Sequence, residues 1–462
     1  MIQPHLIPRK PHYLPVEGVD DFFTLFKKIE KHYSTCFFLE SLGEDSHISR
    51  YSVIGFAPQK LIWAQGNTLT IQDRDGRCEA HQSDNPYSLL RELIPQNILA
   101  RKYSGGLTGY LGYDAMNYFE SSLNIQASEF FEAFKFGLYE DGLTLDKMTG
   151  EVSYFYYTEN RLTDIKNIIQ SEYSGDQPLH ITPLGDTMSR DDHAAAVAKV
   201  KNDIVEGKIF QCEVGFKTRF KIEGDCIKVY QALRESNPSP QMYYLKFDEQ
   251  KVIGASPELL FRLRQGEMET YPLAGTTKRG QTPEEDRELA KVLLNDPKEI
   301  AEHNMLVDLH RNDIGRVAKF GTVKVRSLMD IKRFSHVQHI SSEIVGIMSE
   351  EHDMFSALAS NFPAGTLTGA PKIEAMKIIN ALESDGRGPY GGAVGHFGFN
   401  GDCTFAIPIR TLFCNGSNAY IQTCGGNVYD SNAHDEYQEI QRKLAGTNNV
   451  LKMFMAASEE QS

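Results

Sequence analysis

Four glutamates stand in two pairs spaced i, i+3. Glu299 and Glu302 lie in PKEIAEHNMLVD, and Glu436 and Glu439 lie in DSNAHDEYQEIQRK. Both stretches read as helices, so each pair shares one helix face. If the two faces converge, four carboxylates offer hard oxygen ligands to one cation such as Mg²⁺, which often bridges to an anionic substrate. The chemistry that follows is a metal-assisted reaction on a carboxylate or phosphate. The competing reading is two solvated helix faces, with Glu439 in an i, i+4 ion pair to Lys443. Spacing alone leaves both open.

Positioning such groups takes a large scaffold. The chain has 462 residues, 41% hydrophobic and 24% charged, enough for a sizeable core in two or three domains or one elaborated one. Its net charge of −14 argues against non-specific nucleic-acid binding. Seven scattered cysteines form no CxxC or zinc spacing and read as reduced thiols. No apolar run has the length of a signal peptide or a membrane span, so a soluble cytoplasmic protein is expected.

Residues 1–180 read as short strands with turns: FFLES, YSVIGFAP, LIWAQ, NTLTIQD and GEVSYFYYT. The glycines of SGGLTGYLGYD match no phosphate loop and imply close backbone packing. Residues 174–189, polar with two prolines and two glycines, read as a linker to a second region, 190–455. There, strands such as KIFQCEVGFKTRFKI, QMYYLKF and CTFAIPIRTLF mix with helices. Asp296 and Pro297 form an N-cap and N1 pair ahead of Glu299. The last helix is expected to start near Ser431 or Asn432 and stop at Gly446 as its C′ residue. Without regular βαβ alternation, the pattern predicts an α+β fold with large, mainly antiparallel sheets and helices outside.

Motifs through the second region resemble the chorismate-utilising enzyme family. They run in family order: IFQCEVGFKTRF, NPSPQMYY, GASPELLF, YPLAGTTKRG, EIAEHNMLVDLHRND, HVQHISSEIVG, FPAGTLTGAPKIEAM, RGPYGGAVGHFG, AIPIRTLF and DSNAHDEYQEIQRK. GGLTGYLGYD and FFLES…RYSVIG extend the resemblance to the amino-terminal region of the amination enzymes. It implies Mg²⁺ at the ring carboxylate of chorismate, with Glu302 and Glu439 as direct ligands and Glu299 and Glu436 direct or through water. It implies Glu258 as general acid for the leaving hydroxyl, which needs a carboxyl kept protonated by burial or negative neighbours. His339 matches a histidine near the ring, assisting hydroxyl departure or pyruvate loss. Arg410 and Tyr390 match residues that hold the enolpyruvyl carboxylate, and Lys443 one near the ring carboxylate. Gly275, Thr276, Gly425 and Gly426 would offer backbone N–H groups to carboxylates. Cys424 departs from the family's usual Gly-Ala-Gly run.

Two positions separate branches of the family. The water-adding enzymes carry a lysine base where this chain has Gln211, so ammonia becomes the expected nucleophile. Some aminodeoxychorismate synthases carry a nucleophilic lysine where this chain has Ala274. Alanine forms no adduct, which implies direct attack at C2 and then pyruvate loss, the anthranilate synthase pattern. Aminodeoxychorismate synthase component I is the alternative. The chain has no GxCxG glutaminase motif, which implies a separate glutamine amidotransferase subunit. Leu39, Glu40, Ser41 and Arg50, with Asn237, Pro238, Ser239, Pro240 and Met242, resemble the tryptophan pocket of feedback-inhibited members; Gln241 replaces the usual tyrosine.

Overall fold

The computed structural model describes residues 2–42, 50–100, 102–333 and 337–455. Among these, two twelve-stranded antiparallel sheets lie at the centre. Each draws strands from both regions of the chain. In the first sheet Thr35–Glu40 pairs with Gln241–Phe247, Leu39 opposite Tyr243. In the second, Gly106–Leu111 pairs with Ala393–Gly398, Gly109 opposite Gly395. The boundary near residue 180 divides the chain but not the sheets.

The strand period of two explains the layers. In the first sheet Phe37, Tyr243, Leu245, Val252 and Phe413 face a core shared with the second sheet. Their neighbours Phe38, Met242, Tyr244, Ile253 and Leu412 face a second core. Helices Phe22–His32, Ile227–Ser236 and Ala433–Lys452 contribute Phe26, Tyr230 and Ile440 to that second core. Strands buried on both faces read as continuous apolar runs, as QMYYLKF does. The α+β architecture is as expected.

Three local expectations change, and one strand is new. Residues 174–189 hold a strand, His180–Asp186, at the sheet edge against Gln211–Glu223. Pro183 is tolerated there because an edge strand has an unpaired side, and the pairing shifts between Pro183 and Gly185. CTFAIPIRTLF is two strands, Cys403–Ala406 and Thr411–Asn415, in different sheets. Gly446 lies inside the last helix, which runs to Lys452 because Thr447, Val450 and Leu451 are buried against the core. Finally, Lys324–Arg333 forms a strand along Val337–Ile347 that its charged, weakly alternating sequence did not announce. Among the described residues no helix is long and apolar enough to cross a membrane.

Candidate active site

The site gathers where the chain passes from one sheet to the other. Glu258 sits between Gln250–Ser256 of the first sheet and Leu259–Arg264 of the second. Arg410 sits on the return crossing, between Cys403–Ala406 and Thr411–Asn415, with a left-handed φ of 51°. The two crossings are stitched together. The Ile407 N–H donates to the Glu258 carbonyl at 3.1 Å, and the Ala255 N–H to the Arg410 carbonyl at 3.3 Å. An acid and a guanidinium thus come to neighbouring crossings for a purely topological reason.

Glu258 is 5% exposed. Its Oε1 accepts from the Thr366 hydroxyl at 3.1 Å. Burial, reinforced by the negative charge of Glu213, pushes its carboxyl up to about 8. It is therefore held protonated near neutral pH, as a general acid requires. Arg410 has no ion-pair partner among the described residues, and burial lowers its pKa. An unpaired, desolvated guanidinium is a ready receptor for a substrate carboxylate.

His339 lies on Val337–Ile347, opposite Thr276 of Leu273–Lys278. That pairing shifts between Ala274 and Thr276, at Gly275, whose φ is +67°. The His339 Nδ1 lies 3.0 Å from the Gly275 carbonyl and 3.0 Å from the Thr276 hydroxyl. A carbonyl only accepts, so Nδ1 carries the proton and Nε2 the lone pair. Burial pushes the imidazole down to about 4, which keeps it neutral. Ala274 is buried in the same strand and offers no side-chain nucleophile.

The two glutamate pairs reach the site on helix starts. Asp296 caps Pro297–Gly315, accepting from the Lys298 N–H at 2.9 Å, and places Glu299 and Glu302 in the first turns. Asn432 caps Ala433–Lys452 ahead of Glu436 and Glu439. The carboxylates interact across the gap. Burial raises the Glu299 pKa, and Glu302, Asp296 and Glu439 add to the effect. Burial likewise raises Glu436, with Glu439 adding to it. For Glu439 burial acts upward, but Lys443, 2.8 Å away, and other cations bring the net shift downward. The ion pair to Lys443 that the spacing allowed is present, with 42% of the Lys443 side chain exposed. Lys443 also donates to the Cys424 carbonyl at 3.2 Å.

These residues suit Mg²⁺ in kind. Glu436 Oε1 accepts from the Ser431 hydroxyl at 2.6 Å, while its buried Oε2 has no hydrogen-bond partner among the described residues. A Cβ on Gly275 would come within 2.8 Å of Glu299 Oε2, so only glycine leaves that carboxylate its place. All four donors are hard oxygens, which match the cation. Among the described residues no three metal-binding side chains already stand together at ligand distances.

Other expected residues fall nearby. Tyr390 is buried and donates its hydroxyl to Cys424 Sγ at 3.1 Å. Gly425 lies against Glu436, where a Cβ would stand 3.4 Å from Oε2. Gly426 pairs with Glu213. Gln211 donates its amide N–H to Glu302 Oε1 at 3.4 Å and to Glu213 Oε1 at 3.3 Å. Glu213 is the residue that sequence reasoning passed over. The available signal was its position two residues after Gln211 on a strand, which puts both on one face.

A separate cavity of about 280 Å³ opens between the sheets. Leu39, Glu40, Ser41, Arg50, Pro240, Gln241 and Met242 line it, joined by Lys102, Arg262 and His396, which sequence reasoning had not placed there. Asn237, Pro238 and Ser239 are not among its lining residues; the Ser239 carbonyl accepts from the Leu42 N–H at 2.8 Å and supports the wall. Glu40 is engaged with Arg234 at 2.6 Å and Arg50 with Asp146 at 2.6 Å, while the Ser41 hydroxyl has no hydrogen-bond partner among the described residues.

A protonated carboxyl, a neutral imidazole, an unpaired guanidinium and a carboxylate cluster on a double antiparallel sheet define an enzyme for a small anionic substrate. Residues 34–448 match the family described as chorismate binding enzyme, and the chain belongs to that family. It is 51% identical over 455 residues to anthranilate synthase component 1 of Leptospira biflexa, covering 97% of each. The same-named protein of Methanothermobacter thermautotrophicus is 42% identical, covering 95% of this chain and 93% of that one. The crystal structure of anthranilate synthase component I from Streptococcus pneumoniae aligns with a TM-score of 0.77 at 31% identity, over 88% of this chain and 94% of that one. The menaquinone-specific isochorismate synthase of Escherichia coli shares the fold, with a TM-score of 0.74 at 17% identity.

Proposed function

We propose that this chain aminates chorismate at C2 and then eliminates pyruvate to give anthranilate, with ammonia supplied by a glutamine amidotransferase subunit. The observation that carries the chemistry is Glu258, a buried carboxyl with its proton, on the crossing next to Arg410. Arg410 binds the enolpyruvyl carboxylate, and Gly275, Thr276, Gly425 and Gly426 line the approach to the ring carboxylate. As ammonia attacks C2, Glu258 protonates the departing C4 hydroxyl, which leaves as water. His339 Nε2 then takes the ring proton at C2 as the enolpyruvyl group leaves. Glu299, Glu302, Glu436 and Glu439 would hold Mg²⁺, which would supply positive charge to neutralise the ring carboxylate. Gln211 and Ala274, in place of lysines, favour free ammonia over water or an enzyme adduct. The names of the relatives favour anthranilate over 4-amino-4-deoxychorismate as product.

The test is product identity. Purified chain with chorismate, Mg²⁺ and ammonium at mildly alkaline pH should give anthranilate fluorescence and pyruvate together. Accumulation of an amino-chorismate that a 4-amino-4-deoxychorismate lyase converts to 4-aminobenzoate would overturn the assignment.

A further inference from the structure

The Glu258 carboxyl has one oxygen engaged and one open. Oε1 lies 3.1 Å from the Thr366 hydroxyl. Oε2 makes no hydrogen bond among the described residues, and unlike Glu436 Oε2 it is not sealed from solvent. A protonated carboxyl and a hydroxyl can share a hydrogen bond in either direction. If the carboxyl donated, the Thr366 proton would need a second acceptor, and the described residues supply none. With Thr366 as donor, Oε1 is the carbonyl oxygen, and the acidic proton stands on Oε2, the oxygen that faces open space.

Both halves of this contact are held still. On one side, the Glu258 N–H donates to the Ser256 hydroxyl at 3.2 Å, and its carbonyl accepts from the Ile407 N–H at 3.1 Å. On the other, half-buried Thr366 sits in the short turn Gly365–Leu367. The Thr368 hydroxyl donates to the Ala364 carbonyl at 3.0 Å, and the Thr368 carbonyl accepts from the Glu213 N–H at 2.9 Å. The Leu367 carbonyl accepts from Arg387 Nη1 at 2.6 Å. Arg387 is itself fixed. It is 2% exposed, donates to Glu383 through Nε at 2.8 Å and Nη2 at 2.6 Å, and lies over the rings of Tyr113 and Tyr390. A hydroxyl held this firmly against a reacting carboxyl needs no reorganisation as charge develops there.

Resting on the amination reading above, we propose that Thr366 is a positioning residue for the general acid: its hydroxyl sets the acidic proton of Glu258 on Oε2 and steadies the carboxylate left behind. As the C4–oxygen bond breaks, the Oε2–H bond breaks with it. The proton joins the departing oxygen, which keeps the C4–oxygen electron pair and leaves as water. Negative charge then spreads over both oxygens of Glu258, and the Thr366 hydrogen bond strengthens with it. The nitrogen bonded to C2 becomes a substituted ammonium, and one of its protons restores Glu258. The charged groups acting on Glu258 are Glu213 on Gln211–Glu223, which favours the protonated form, and Lys443 on the last helix, which opposes it; Arg410 stands on the neighbouring crossing. The Thr366 hydrogen bond also opposes burial, so its removal leaves the proton more tightly held.

The experiment compares the full chain with Thr366→Val, Thr366→Ser and Glu258→Gln, and with Thr366→Val and Glu258→Gln combined, using chorismate, Mg²⁺ and ammonium chloride over a pH series. Near neutral pH, Thr366→Val should lose roughly 10- to 10²-fold in kcat, with KM for chorismate unchanged. Thr366→Ser should keep most of the parent rate. The ratio of the valine variant to the parent should rise with pH above about 8, because the variant's acid keeps its proton where the parent's has lost it. The supply of free ammonia is common to both and drops out of the ratio. Added to Glu258→Gln, Thr366→Val should cost nothing further, since a residue acting through Glu258 has nothing left to act on. A ratio flat in pH, a further loss in the combined variant, or a serine variant as slow as the valine one would overturn the proposal. If Thr366→Val does not fold by circular dichroism, Thr366→Ala is read by the same ratio and the same combination. A parent that forms no anthranilate ends the amination reading; an active parent with a flat ratio ends only this one.

Discussion

At the scale of the residue, the chemistry depends on protonation states that only burial creates. Glu258 keeps a proton because it cannot be solvated as an anion. Glu258→Gln should retain chorismate binding but lose roughly 10²- to 10⁴-fold in kcat, read from anthranilate formation. The same burial has a stability signature. The folded carboxyl titrates near 8 and the unfolded one near 4.5, so between these values the folded chain binds more protons. Stability therefore falls as pH rises through that window. Urea unfolding between about pH 5 and about pH 8 should show this decline, and Glu258→Gln should flatten it. A decline equally steep in the variant would place its cause elsewhere.

At the scale of the element, the glycines of GGLTGYLGYD turn out to be packing devices. Gly109 lies in Gly106–Leu111, and a Cβ there would stand 2.0 Å from the Lys135 carbonyl of the neighbouring strand. Backbone cannot yield as a side chain does. Gly109→Ala should destabilise the chain by about 3 kcal/mol, measured by denaturant unfolding. The reading that these glycines serve close approach rather than phosphate binding came from the absence of a phosphate-loop pattern, and the strand bears it out. The last helix shows the opposite case. Gly446 looked like a stop signal, yet burial of Val450 and Leu451 carries the helix past it, because tertiary packing outweighs a local glycine penalty of about 1 kcal/mol.

At the scale of the whole molecule, both sheets are shared between the two regions of the chain, and both sites depend on that. The candidate active site holds glutamates from two helices whose charges oppose one another. A cation binding there relieves that opposition and stabilises the folded state by linkage. Saturating Mg²⁺ should raise the melting temperature by about 2 °C or more, and Glu302→Gln together with Glu439→Gln should abolish the rise. The cavity between the sheets brings Ser41 and Arg50 of one region to Pro240, Met242 and Arg262 of the other. Its lining, with apolar Leu39 and Met242 beside polar Glu40, Ser41 and Lys102, suits an amino acid with a bulky apolar side chain. Titration calorimetry with tryptophan should show saturable heat, and none at millimolar concentrations would exclude it as ligand.

The sequence by itself determined the residue types, the strand and helix periods and the family. Those follow from local propensity and from motifs a few residues long. It marked the two glutamate pairs, Glu258, His339 and Arg410 as candidates, and the fold carries them to one region. Tertiary structure alone decided what they are chemically. Glu258 and Arg410 become neighbours because the chain crosses between sheets at both, and neither motif contains that crossing. Glu213 is buried because its strand pairs with Gly426, far along the chain. Strand alternation says that a residue shares a face with Gln211, but not what covers that face. Desolvation and charge coupling arise from that covering, so the protonation states that make a catalyst are set by packing.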